Sequence, residues 1–118
     1  MIKLKTNKEQ LKSLMRVISS GINDVQTYRE LTPSTPQYSW DRMQSAAEIF
    51  ILEALHNRVI AKYYSMGSKI NTHPCTFSWN EMEAYLFVKR VGAVNGFSPF
   101  ERLIIEQVKA PVCKKLLA

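Results

Sequence analysis

No apolar run in this chain approaches the roughly eighteen residues that a membrane span needs, and the opening Met-Ile-Lys-Leu-Lys-Thr-Asn-Lys has no apolar stretch behind its charges. A spanning helix and a signal peptide are therefore not expected, and no membrane partner is expected either. Cysteine is scarce, with Cys75 and Cys113 the only two. Without an export signal they are expected to stay reduced, and the expected location is cytoplasmic.

The usual signatures of chemistry are missing as well. His56, His73, Cys75 and Cys113 supply enough donors for a tetrahedral zinc site, but His73-Pro74-Cys75 is not a usual paired-ligand spacing and the other two stand alone on separate predicted helices. No metal and no cofactor is expected. There is no Gly-x-Ser-x-Gly elbow and no recognisable cysteine-nucleophile signature. Met66-Gly67-Ser68-Lys69 lacks the upstream glycine of a phosphate-cradling loop and follows a helix where such a loop follows a strand. No catalytic residue is assigned, the chain is read as a non-enzyme, and no small-molecule ligand is indicated.

What is present is an ordinary globular composition, 46% hydrophobic and 22% charged over 118 residues, which fits one domain spanning residues 1–118. The net charge of +6 is confined to the ends. Lys3, Lys5, Lys8, Lys12 and Arg16 face only Glu9 at the start, and Lys109, Lys114 and Lys115 close the chain.

Helix-start and helix-stop signals divide the chain into four helices. Thr6-Asn7-Lys8-Glu9 reads as a capping box. Leu11, Leu14, Met15, Ile18, Ile22 and Val25 follow at spacings of three and four, with the basic residues on the opposite face. Gly21 in mid-helix costs about 1 kcal/mol relative to alanine, which points to close helix packing or a bend. Arg29 would fall on the apolar arc of a straight helix, so fraying or a turn is expected there. Thr32-Pro33-Ser34-Thr35-Pro36-Gln37 breaks the chain between helices.

The second helix is expected from Ser39, its cap, to Gly67, its left-handed terminator. It carries two apolar faces. Met43, Ala46, Ala47, Phe50, Ile51, Ala54 and Ala61 share one, and Ile49, Leu52, His56, Val59, Ile60 and Tyr63 the other. Such a helix is expected to be covered from two sides, and at about 40 Å it is long enough that a break or kink is expected.

Residues 68–77 show no helical period and read as a loop. Ser78-Trp79-Asn80-Glu81 then opens a third helix to about Val91, with Phe77 stapled onto Met82 and with Tyr85 and Leu86 on its apolar face. Ser98-Pro99-Phe100-Glu101 opens a fourth, whose core residues are Leu103, Ile104, Ile105 and Val108, and Pro111 is expected to kink it before a short helical tail. The likeness of Ser39-Trp40-Asp41-Arg42-Met43 to Ser78-Trp79-Asn80-Glu81-Met82 decays beyond those five positions and reflects shared helix-start residues as well as it would a duplication. The fold expected is all-α: a four-helix bundle-like domain around a long central second helix, with a short kinked C-terminal tail.

Two surfaces follow if the helices alternate up and down. Lys3, Lys5, Lys8, Lys12, Arg16, Lys109, Lys114 and Lys115 would gather at one pole, as a patch for phosphate backbones or an acidic protein. No aromatics interleave with them as in a surface that stacks single strands. Tyr38, Trp40, Phe97 and Phe100 would face one another at the opposite pole as an aromatic contact surface. The leading expectation is a helical binding or assembly protein working through protein contacts, with a protein partner or a homo-oligomer. The alternative is a nucleic-acid-associated protein.

Overall fold

A computed structural model describes residues 2–67, 74–91 and 96–116, with side chains to residue 114. Four helices pack together, as the spacing predicts: α1 (Lys8–Leu31), α2 (Ser39–Ser65), α3 (Glu81–Val91) and α4 (Pro99–Leu116). Two strands were not anticipated, β1 (Ile2–Asn7) and β2 (Pro74–Trp79). They pair antiparallel, Ile2 opposite Trp79 and Asn7 opposite Pro74.

The strands obey a period of two. Ile2, Leu4 and Thr6 turn inward while Lys3 and Lys5 face out, and Phe77 and Trp79 turn inward from β2. The expected loop over residues 68–77 is therefore corrected from Pro74 onward, and residues 68–73, with His73, lie outside the described residues. Proline is compatible with a strand at its first residue, where Pro74 stands.

The caps shift accordingly. Asn7, not Thr6, caps α1, its Oδ1 accepting from the Gln10 amide at 2.8 Å. The box that opens α3 lies two residues later than expected. The Glu83 amide donates to Asn80 Oδ1 at 2.8 Å, and the Asn80 amide donates to Glu83 Oε1 at 2.9 Å. The box of α4 stands where the sequence puts it, with Ser98 and Glu101 bonded reciprocally at 3.0 and 3.2 Å. A single turn of 3-10 helix over Pro36–Tyr38 leads directly into α2, so Ser39 is the first helical residue and not a side-chain cap.

The core is one cluster built on α1. Leu11, Leu14, Val17, Ile18 and Val25 of α1 are fully buried, together with Leu52, Leu55 and Val59 of α2, Trp79 of β2 and Phe87 of α3. Trp79 lies edge-on to both Phe77 and Phe87, with ring centroids at 5.8 and 5.2 Å. This places Phe77 in the core and leaves Met82 exposed, so the expected staple between them does not form. Tyr85 and Leu103, also expected in the core, are about half exposed. Gly21 is explained by close packing: a Cβ there would stand 3.0 Å from Val91 Cγ2. Gly67 takes the left-handed conformation expected of it, φ 56°. Pro111 sits inside α4, which runs on past it to Leu116.

Three buried carboxylates tie the helices to one another. Glu48 of α2 meets Arg90 and Lys89 of α3, at 2.5 and 3.2 Å. Glu83 of α3 meets Arg58 of α2 at 2.6 Å. Glu101 of α4 meets Arg16 of α1 at 3.3 Å. Arg29 stays within α1 instead of fraying, and its carbonyl accepts from Arg42 at 3.1 Å.

Candidate protein-binding face

α2 is continuous over 27 residues, without the expected break, and only one of its sides is covered. Ser45, Glu48, Leu52, Leu55 and Val59 recur at three and four and are buried against the rest of the chain. The face opposite them stays open. Trp40 is 71% exposed, Met43 63%, Phe50 75% and Tyr64 72%. Ala47, Ala54, Asn57 and Ala61 between them are exposed too. The expectation that both apolar faces would be covered is thus corrected among the described residues, which supply one layer of helices against α2 and leave its other side open.

The open residues form an ordered line. Trp40, Met43, Ala47, Phe50, Ala54, Asn57, Ala61 and Tyr64 are separated by alternating steps of three and four. That is the spacing of the seam in a pair of coiled helices. Large side chains (Met43, Phe50, Tyr64) occupy one of its two position types, and alanine occupies the other at 47, 54 and 61. Two positions depart from the alternation: Asn57 stands among the large side chains, and Trp40, in the first turn, stands in line with the alanines. The three aromatics and Met43 together offer roughly 500 Å² of apolar area, as large as the principal patch on a typical monomer.

The aromatic contact candidates do not gather at one pole. Trp40 belongs to the open face, and Tyr38 is half-buried in the 3-10 turn before it. Phe97 packs against the core. Phe100 lies beside Tyr63, Lys12 and Arg16 in a groove of about 440 Å³. Tyr63 is about 34 Å along α2 from Trp40 at 1.5 Å per residue. The cause is the length of α3. With 11 residues it ends at the level of Gly21, and α4 begins beside the first third of α1, Glu9 to Arg16, and not at the far pole.

The basic candidates are distributed over three elements. Lys3 and Lys5 are exposed on β1, Lys12 on α1, and Lys109 and Lys114 on α4. The Lys115 side chain lies outside the described residues. Two cations are already engaged: Lys8 bonds the Gly67 carbonyl and lies 5.1 Å from the Tyr63 ring centroid, and Arg16 pairs with Glu101. That backbone bond and ring contact join the start of α1 to the end of α2, while Arg42 joins the opposite ends through Thr32, so the two helices run antiparallel.

Cys75 and Cys113 carry free, half-buried thiols, and His56 is half-buried on α2. Among the described residues no three His, Cys, Asp or Glu side chains come together as a metal site, and no helix is long and apolar enough to cross a membrane. The surroundings of the Glu101 carboxyl lower its pKa. The Ser98 amide holds it below the ordinary glutamate value against the opposing effect of burial, with smaller help from the Ser98 hydroxyl and Arg16.

Comparisons with protein-family models, curated proteins and solved structures give no match. Met43, Phe50 and Tyr64 are exposed large side chains that the sequence alone does not single out as a surface. The face of Met43, Ala47, Phe50, Ala54 and Ala61 is legible as an apolar face, but the expectation places Trp40 at the aromatic pole and does not extend the line to Tyr64.

Proposed function

We propose that this chain is a non-enzymatic binding or assembly protein that acts through protein–protein contacts, and that the open face of α2 is its contact surface. The observation that carries the reading is the row of Trp40, Met43, Phe50 and Tyr64, each more than 60% exposed, on one line of one helix. Covering a large apolar side chain is worth about 1.5–3 kcal/mol. Large aromatic side chains set in such a line are also where binding energy concentrates in interfaces.

The test is to purify the chain under native conditions beside a Phe50→Glu variant. A native mass above 13.6 kDa, or a second chain retained in fixed ratio, lost in the variant while its melting curve is unchanged, supports the reading. A single 13.6 kDa species with no retained chain in both proteins overturns it.

A nucleic-acid reading draws on a different observation, the outward display of Lys3 and Lys5 on β1 with Lys12 exposed on α1. Phosphate contacts of this kind give binding that weakens steeply with salt. Fluorescence anisotropy of labelled duplex and single-stranded DNA, beside a variant with Lys5, Lys8 and Lys12 changed to glutamine, decides it. Absence of binding at low salt removes this reading.

A further inference from the structure

We infer that the partner of the open α2 face is a second copy of this chain, paired antiparallel through α2 about a two-fold axis at the level of Leu52. The inference rests on the reading of that face as a protein-binding surface. Its ground is that the seam is complementary to its own reverse.

In an antiparallel pair each layer takes one residue of each position type, so residues whose numbers sum to 104 meet. Phe50 then faces Ala54 of the second copy, Met43 faces Ala61, and Asn57 faces Ala47, each layer occurring twice as a two-fold requires. Every one of these layers joins a larger side chain to an alanine, so the two helices can keep one separation along their length. Ala47 leaves room for the Asn57 amide to remain hydrated. Trp40 and Tyr64 meet at the two ends, where helices can splay. Sliding the pair by a heptad keeps the size match but uncovers two seam positions in each copy, so full overlap selects the register.

A parallel pair fails on the same residues. It would stack alanine on alanine at 47, 54 and 61 and Phe50 on Phe50 between them, demanding a narrow and a wide separation in alternate layers. The antiparallel pair withdraws roughly 1,000 Å² from water over the two copies, the size at which a specific interface becomes sustainable. A strict repeat of 3.5 residues drifts by about 20° per heptad on a straight helix, so the two copies wrap slightly left-handed about each other.

One flanking residue reports the direction of pairing. Glu53 is exposed beside the seam, and in the antiparallel pair it faces Glu53 of the second copy across the axis. In a parallel pair it would instead face Arg58 of the other copy, an attractive contact. Arg58 is already held by Glu83 and the Ser78 carbonyl of its own chain.

The experiment is analytical ultracentrifugation of the full chain over a wide concentration range, with variants at exposed seam positions whose melting curves are checked alongside. The wild type is expected to shift from 13.6 kDa to twice that mass. Phe50→Ala, which empties the central layers, and Ala54→Phe, which overfills them, are each expected to weaken the dimer by about tenfold or more. The double variant exchanges large for small and is expected to recover most of the loss. Glu53→Gln is expected to tighten the dimer.

A wild type that stays monomeric at every concentration overturns self-association. If a different chain then co-purifies and is lost with Phe50→Glu, the broader reading survives that failure. A dimer that Ala54→Phe leaves unchanged, that the double variant fails to restore, or that Glu53→Gln weakens overturns the antiparallel register.

Discussion

Arg90 grips the buried Glu48 carboxylate with two nitrogens, Nε at 2.7 Å and Nη2 at 2.5 Å, and so fastens α3 to the inner side of α2. The carboxylate is 6% exposed and Lys89 reaches its other oxygen. Removing one partner of a buried pair strands the other charge, and this stranding, more than any lost attraction, sets the cost. Arg90→Met is expected to lower stability by about 2–3 kcal/mol, the remaining Lys89 keeping it below the full penalty for an orphaned ion. Urea denaturation checks this as a lower midpoint at unchanged slope. Restoring part of the loss with Glu48→Gln in the same chain would identify the stranded charge as the cause.

Gly21 and Val91 make the second case. Alanine is worth about 1 kcal/mol more than glycine inside a helix, yet the new methyl would stand 3.0 Å from Val91 Cγ2. Overpacking of this kind costs about 1–3 kcal/mol. Gly21→Ala is expected to destabilise the wild type, and the same change in a Val91→Ala background is expected to be stabilising. A double-mutant cycle in denaturant measures the reversal, and additive effects would refute a packing explanation.

Glu101 gives the expected dependence on pH. Its carboxyl is held below the ordinary value by the Ser98 amide, with Arg16 contributing least. A folded state that holds a carboxylate more acidic than the unfolded chain binds fewer protons. The resulting stabilisation is fully present above the unfolded value of about 4.3 and is lost as pH falls through the lower folded value. Thermal melts from pH 6 downward are expected to show a shallower decline for Glu101→Gln than for the wild type below about pH 4.5.

The two tryptophans separate cleanly as reporters. Trp79 is fully buried between Phe77 and Phe87, whereas Trp40 stands on the open face. In Trp40→Phe the remaining emission is expected to be blue-shifted and poorly quenched by acrylamide. The difference spectrum belonging to Trp40 is expected to be red-shifted in dilute protein and to move to the blue as concentration rises. A Trp40 contribution that is quenched equally at all concentrations would contradict coverage of that end of α2.

Much of the helical layout is legible in the sequence because it rests on local physics: the three-four spacing from Leu11 to Val25, the Ser98–Glu101 box, and Gly67 as a terminator. The strands were hidden by competing local signals. Thr6-Asn7-Lys8-Glu9 looks like a cap one residue early and absorbs the end of β1. Pro74 marks a break, although a strand tolerates proline at its first position. Strand pairing between Ile2 and Trp79 is also set by tertiary contact, which no local window contains. The candidate site was half legible. Both apolar faces of α2 could be read, but the pattern of a face cannot say whether this chain or another covers it. The pole of aromatics failed for a global reason, since the position of Phe100 depends on the length of α3.

The pairing of β1 with β2 fixes an order of events during synthesis. Residues Ile2 to Asn7 are made before α1 and α2, and their hydrogen-bonding partners, Trp79 back to Pro74, only after them. α1 and α2 are neighbours in sequence, and their contacts close a shorter loop than the pairing of β1 with β2 does. Until β2 leaves the ribosome, β1 is a strand with nothing to pair with, carrying Ile2 and Leu4 on one side and Lys3 and Lys5 on the other. Lys3 and Lys5 put charge along that unpaired strand, a feature that disfavours edge-to-edge pairing with another copy.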